Sequence, residues 1–585
     1  MVNSKKPIVE VAEREAATKK KQHIQKNYKN KYYFFETNIY KILECFPKKL
    51  LSWDILLVTL IALLIRFCVG IGAYSGYNDP PKFGDFEAQR HWLELTLNLP
   101  MKDWYFYDPS HWGLDYPILT AYHSLSLAYI GEYLFGGKNR GWFALDSSRG
   151  NEDPNLKSFM RFTVCLTDIV IYIPAALWFV KKHSISTSEK QNILNTKAKK
   201  LETGSLQSRA LSHLKQLSHF SNGLIILLQP SLLIIDHGHF QYNGCMLGLV
   251  LLTVNNIIDN KLVSACIFFV ASLCFKQMSL YFAPVIFVYL LKQTLLSWRI
   301  IEFVSIGVST VATFIVLYFP LYFFNQTNEL GLQTLKQSFL RVFPFNRGLF
   351  EGKVANFWCV SNLFIKHRTI FSNEQLQLQS LVLTLLAASP ACLMVLIKVS
   401  PKRYSKSKEL LLYALGSCSL SFYLFAFQVH EKSILLPMLP MTLLFVVNNN
   451  KSLKLDGPIS QASLLNSPNL TYQLLIFFEN AALFSLWPLM KQEGLHLQFF
   501  LLGIMYNWLI GGFSFFAYKG LGKINKYIQY VLISVYSTMF LNLALDLYMQ
   551  PPAILPDLWV VLNCAISFGC FVFMWLWLLL KMWYV

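Results

Sequence analysis

The sequence predicts an all-α polytopic membrane protein, and three observations carry that expectation. Of its 585 residues 54% are hydrophobic and only 15% are charged, against roughly 25% charged in soluble domains. Apolar runs recur along the chain, and runs such as Asp54 to Gly72 and Trp559 to Leu580 are about long enough to cross the ~30 Å hydrocarbon core as helices. The basic residues behind the net charge of +19 gather in the N-terminal tail and in short loops between apolar runs. The positive-inside rule produces that distribution, which argues against nucleic acid as the partner of the excess charge.

The first fifty residues are polar and basic, densest at Lys19-Lys20-Lys21. They lack the short apolar core and small-residue cleavage site of a signal peptide, so the first span is expected to serve as the insertion signal. Spans are expected at 53–74, 158–180, 220–236, 240–258, 262–277, 279–293, 299–324, 375–398, 409–427, 433–448, 471–489, 496–518, 526–547 and 558–580, about fourteen in all. The segment 115–136 is only half apolar, because of Pro117, His123 and Ser124, and reads as a helix lying in the interface.

Charge tests that choice. With the N-terminal tail in the cytosol and fourteen crossings, the basic loop 181–218, the cluster Lys402-Arg403 with Lys406 and Lys408, and Lys519, Lys523 and Lys526 all fall on the tail's side. A full span at 115–136 would move them to the opposite side, against the rule. Two long loops, 75–157 and 325–374, then face the lumen, where Asn325-Gln326-Thr327 is a glycosylation sequon. The chain is expected to divide into a cytosolic basic tail (1–52), a transmembrane module that carries both long loops (53–374) and a C-terminal transmembrane module (375–585). Cys68, Cys165, Cys266, Cys274 and Cys418 lie in apolar runs and read as small packing residues, with no spacing that suggests a disulfide framework or a zinc site.

Five motifs gather the polar chemistry. Gly84-Asp85-Phe86-Glu87-Ala88-Gln89-Arg90-His91-Trp92 follows the first span closely, and a carboxylate there can serve as a general base or sit in a structural salt bridge. Trp112 to His123 includes Asp115 and Tyr116; Asp115 can cap the helix that follows or bind sugar hydroxyls. Asp236-His237-Gly238-His239-Phe240-Gln241-Tyr242-Asn243 lies between two spans. Its aspartate and two histidines suit a metal, though without a specific metal spacing, or better the polar lining of a cavity, while Gly238 suits a tight turn. Arg341 to Cys359 interleaves basic and aromatic residues, Arg347 among them, as either an anionic headgroup site or an aromatic belt would. Gln428-Val429-His430-Glu431-Lys432-Ser433 can neutralise a phosphate through His430 and Lys432, or simply end two helices.

Together these motifs resemble those of the endoplasmic-reticulum dolichyl-phosphate-glucose-dependent α-1,3-glucosyltransferases. The resemblance runs from about residue 50 to the C-terminus, and the wording of Gly84 to Trp92 is that of the members that add the first glucose to the lipid-linked oligosaccharide. Ile118 departs from the second proline usual after Pro117, and the tail and the loop 181–218 look lineage-specific. The resemblance implies the GT-C fold, a lumenal cavity, a dolichyl phosphate glucose donor and a fully mannosylated dolichyl-diphosphate oligosaccharide acceptor. It implies an inverting transfer that needs no metal or other cofactor. By match to the family's first-loop aspartate, Asp85 is the expected base. Arg347, His430 and Lys432 are candidates for the phosphate. Glu87, Arg90, Asp115, Tyr116, His237 and His239 are candidates for placing substrate. The rivals are the second glucosyltransferase of the pathway and a lipid-linked-sugar flippase or transporter. The transporter reading draws on Arg66, Arg161, Asp168, Lys276 and Glu479 in or near spans.

Overall fold

The computed structural model describes residue 42 and residues 53–108, 110–183, 203–325, 327–343, 352–400, 404–449, 468–512 and 526–585. All regular structure among them is helical. Eight of these helices are long and apolar enough to cross a membrane: Pro154–His183, Gln277–Ser297, Ile300–Phe323, Asn373–Lys398, Glu431–Asn448, Leu470–Gln492, Tyr527–Tyr548 and Leu558–Tyr584. A pair bent by 48°, Lys215–Leu227 and Pro230–Phe240, adds a ninth if it is one broken span. The shorter helices Asp54–Gly70, Asn243–Ile258, Leu262–Phe275 and His496–Ile510, together with Tyr404–Phe425, occupy the other places where spans are expected.

The bend has a local cause. Pro230 lacks an amide hydrogen and disfavours helical geometry in the residue before it. The chain therefore stops at Leu227 and restarts at Pro230, with Gln229 capping the new turn through Leu232 N at 2.6 Å. The basic segment 181–218, expected as a loop, is helical from Thr203 onward, where it continues into Thr203–Leu227; residues 184–202 lie outside the described residues. The segment expected at the interface forms the helix Ile118–Leu134, which is not among the candidate spans.

Burial separates outer from inner helices. Val304, Val308, Val311 and Ile315 on Ile300–Phe323 are exposed, an apolar face that only a hydrocarbon solvent leaves without cost. Glu431–Asn448 and Leu470–Gln492 are 83% buried and run through the centre.

Two ionisable clusters within this interior are held by hydrogen bonds. Arg66 is 1% exposed; its Nε donates to Asp168 Oδ2 at 2.7 Å and its Nη1 to Leu227 O at 2.9 Å. His237 Nε2 shares that carboxylate oxygen at 3.0 Å. Glu479 accepts from Gln229 Nε2 at 2.9 Å and from Thr442 Oγ1 at 2.7 Å. Such closure is required where no water can solvate an ion.

The first long loop folds onto the helix Asp85–Asn98. Trp92 and Leu95 pack with Trp104, Tyr105, Leu114 and Ile118 in a second core. Arg341 from the other long loop donates to Gly113 O at 2.9 Å, and Gln337 to Tyr105 O at 3.2 Å. The two loops therefore form one cap over the helices. Removing one partner of a buried pair strands the other, at a cost of about 3–5 kcal/mol. Arg66→Met is accordingly expected to lower the thermal unfolding midpoint in detergent, whereas Arg149→Met, on partly exposed pairs with Asp108 and Asp146, is expected to change it much less.

Candidate active site

The site begins with a backbone requirement. Gly76 has φ +78° and Gly84 φ +80°, values that favour glycine. A Cβ on Gly76 would lie 1.1 Å from Phe83 O, and one on Gly84 would lie 2.9 Å from Gly76 Cα. This crossing of two backbones starts a helix at Asp85 and places its carboxylate at the positive end of the helix dipole. Ser75 Oγ accepts from Asp85 N at 3.2 Å.

A buried arginine brings the opposite wall. Arg161 Nη2 donates to Ala73 O at 2.9 Å and to Gly238 O at 2.7 Å. Ser75 N also donates to His239 O at 3.0 Å. Gly238 itself lies inside a helical turn, where a Cβ would come within 3.3 Å of Leu495 and 3.4 Å of Ile234. The expectation that Gly238 makes a tight turn is therefore corrected: it permits close packing.

Asp85 Oδ2 is the convergence point. His239 Nε2 lies at 2.8 Å, Gln241 Nε2 at 2.6 Å, and Lys432 Nζ in direct contact. All three meet Oδ2, and none of them meets Oδ1. His239 turns its other nitrogen, Nδ1, to Glu493 Oε1 at 2.6 Å. Lys276 Nζ donates to Gln241 Oε1 at 3.2 Å and Asn243 Oδ1 at 2.7 Å, and sits 4.8 Å from the centre of the Tyr116 ring. The Asp85 and Lys432 side chains are each 21% exposed, so the cluster is open to a substrate. Burial pushes the Asp85 carboxyl up, but Lys432 and His239 outweigh it and hold it well below the usual carboxylate range. Burial first, then the nearby Asp115 and Asp85 charges, push the Tyr116 phenol well up. Asp85 is thus an acceptor and Tyr116 a donor at neutral pH.

The structure sorts the remaining sequence candidates. Arg90 is 0% exposed and donates to Glu87 Oε1 at 2.6 Å, Glu94 Oε2 at 2.7 Å, Ser148 Oγ at 2.7 Å and Trp142 O at 3.2 Å. Arg90 and Glu87, expected against substrate, instead tie the loop to its helix, because Arg90 spends its donors internally. His237, also expected at substrate, is bound to Asp168 in the interior. Asp115 does not cap the following helix; Pro117 occupies the cap with no side-chain bond. His430 opens the turn that carries Lys432. Arg347 lies outside the described residues. Among the described residues no group of three or more His, Cys, Asp or Glu side chains has the arrangement of a metal site.

Three members of the cluster escaped sequence reasoning. Gln241 stood within a quoted motif, and Lys276, at the end of the expected span 262–277, was weighed only for a transporter. Glu493 carried no sequence signal, since Lys491 to Gly494 reads as an ordinary polar turn between spans.

Comparison with known proteins supplies the family. The model of the ALG6, ALG8 glycosyltransferase family matches residues 59–577. A dolichyl pyrophosphate Man9GlcNAc2 alpha-1,3-glucosyltransferase of Saccharomyces cerevisiae is 42% identical, over 89% of this chain and 90% of its own. A probable enzyme of the same name from Schizosaccharomyces pombe is 40% identical, over 91% and 92% of the two chains. The Pongo abelii enzyme of that name is 36% identical, over 88% and 94%. With a match that takes in the Asp85, His239, Lys432 and Glu493 segments alike, this chain belongs to the ALG6, ALG8 glycosyltransferase family.

Proposed function

We propose that the protein transfers the first glucose from dolichyl phosphate glucose to the fully mannosylated oligosaccharide on dolichyl diphosphate, forming an α-1,3 linkage for protein N-glycosylation. The observation that carries this reading is the Asp85 carboxyl group, gripped through one oxygen and presented at an open site in a chain of this family. The relatives' names favour the acceptor without glucose over the monoglucosylated one. The ion pair of Arg66 and Asp168, closed on itself in the interior, favours an enzyme over a transporter.

In the proposed reaction the acceptor hydroxyl attacks the anomeric carbon of β-linked glucose and the carbon–phosphate oxygen bond breaks, inverting the centre. The hydroxyl proton passes to Asp85, whose Oδ1 takes none of the three donors gathered on Oδ2. The leaving dolichyl phosphate changes from diester to monoester and gains negative charge, which Lys432 stabilises, with His430 and Arg347 as further candidates. His239, Asp115 and Tyr116 position the sugars and the base. We place this chemistry on the lumenal face of the endoplasmic-reticulum membrane, with the N-terminus cytosolic and about fourteen spans in a GT-C arrangement. The site draws Lys432 and Glu493 from the module 375–585 and Asp85 and His239 from 53–374, so both modules build it.

Lys432 links the donor to the base. While it contacts Asp85 it lowers the carboxylate's proton affinity; as it turns toward an arriving phosphate, Asp85 becomes a stronger base. Two outcomes test this reading. Purified protein with dolichyl phosphate glucose and the unglucosylated acceptor is expected to add one glucose, and Asp85→Asn to abolish transfer while folding normally; transfer retained in that variant would remove Asp85 from the base role. Lys432→Met removes a lowering influence, so Asp85 protonates at higher pH. The acid limb of the kcat/KM profile is then expected to move upward in pH, beside a loss of roughly 10-fold or more in kcat. An unmoved limb would separate Lys432 from the base.

A further inference from the structure

The contact between His239 and Glu493 has no part in the transfer as written above. Glu493 sits in the turn after Trp487–Gln492, with Leu495 from the same turn against Gly238. Its side chain is 7% exposed, its Oε1 is 2.6 Å from His239 Nδ1, and its Oε2 is buried with no hydrogen-bond partner among the described residues. A buried carboxylate with an unsatisfied oxygen is costly and calls for a compensating role.

The hydrogen-bond inventory of imidazole defines that role. A carboxylate only accepts, so the nitrogen facing Glu493 must carry a proton. Nδ1 is thereby fixed as a donor in either charge state of the ring. Nε2 is then the nitrogen that varies, and it lies 2.8 Å from Asp85 Oδ2 and 3.1 Å from Lys432 Nζ. With both nitrogens protonated, the ring donates to two carboxylates at once, and Nε2 can hold Asp85 after Lys432 turns to a phosphate. With Nδ1 alone protonated, Nε2 accepts from Lys432 and its grip on Asp85 is lost. A second carboxylate on the far side favours the doubly protonated ring.

We propose that Glu493 is a positioning residue for glucosyl transfer, acting through His239 to hold the Asp85 carboxylate with Oδ1 toward the acceptor. The inference rests on the reading of Asp85 as base. The charged groups that face His239 are Asp85, Lys432 and Glu431, besides Glu493, while Arg161 reaches the adjoining Gly238 carbonyl. Of the carboxylates among them, Glu493 alone meets Nδ1. The segment around Glu493 thereby becomes part of the catalytic device, although it is more than 400 residues of sequence from Asp85.

The test is steady-state transfer by the full-length protein in detergent, with Glu493→Gln and Glu493→Asp beside Asp85→Asn. Gln keeps an acceptor and loses the charge. It is expected to lower kcat by about 10-fold, a fraction of what a general base supplies, with the KM for either lipid substrate within about twofold. The alkaline limb of its kcat profile is expected at lower pH, because the imidazolium loses a stabilising anion. A folded Glu493→Gln with wild-type kcat and an unmoved limb overturns the proposal, as does a loss confined to KM. If Glu493→Gln does not fold, Glu493→Asp decides: it keeps the charge one methylene short, so kcat falls while the alkaline limb stays. Wild-type kcat in Glu493→Asp overturns the proposal. Activity in Asp85→Asn would sink the base reading independently of either Glu493 result.

Discussion

A carboxylate removed from most of its water must be given charge and hydrogen bonds in return, or it takes a proton and ceases to be a base. Asp85 answers that constraint with three donors on one oxygen. No neighbouring segment could supply all three. His239 and Gln241 come from the end of a broken helix, and Lys432 from the turn that opens another. The remaining architecture follows from bringing these segments together. Gly76 and Gly84 let two backbones cross so that Asp85 can begin a helix. Arg161 bonds the carbonyls of Ala73 and Gly238 so that His239 faces it. Lys276 holds Gln241 and Asn243 from behind.

The other buried charges belong to the scaffold. Arg66, Asp168 and His237 close on one another and on the Leu227 carbonyl, where the broken helix is interrupted. A helix break inside a membrane frees backbone carbonyls that water cannot reach, and a buried guanidinium is one of few groups able to satisfy one while staying paired. The break and the ion pair are thus one feature. The same logic explains Arg90, whose donors reach two glutamates, a serine and a carbonyl of the folded-back loop. In both places charge fixes geometry several residues from the site, whereas Asp85 and Lys432 each keep about a fifth of their side-chain surface open.

Much of this was legible in the sequence, and the limits have physical causes. Apolar runs of membrane length stand out in any composition, so the eight candidate spans were readable. Asp85, His239 and Lys432 lay in motifs whose polar density contrasts with their apolar flanks. What could not be read was which way a side chain points. Arg90 and Glu87 share a motif with Asp85, yet at three and four residues' spacing on a helix they face Glu94 and each other. Gly238 looked like a turn, but its value is the missing Cβ that admits Leu495. Glu493 was invisible because its meaning lies wholly in a contact made across 254 positions of sequence.

That separation also bears on how such a site tolerates its own chemistry. In the proposed reaction, transfer adds negative charge to the leaving phosphate while a proton arrives at Asp85, so the cluster must lose one anion as it gains another. Lys432 would serve both in that reaction, being bonded to the carboxylate before a donor enters and free to follow the phosphate afterwards. His239 keeps Asp85 in place only if its Nε2 remains a donor when Lys432 departs. A rigid anion on the far side of the imidazole is the simplest means to that end, and in a water-poor site it acts more strongly than it would at a surface. Glu493, anchored in the turn between Trp487–Gln492 and His496–Ile510, is placed to be that anion.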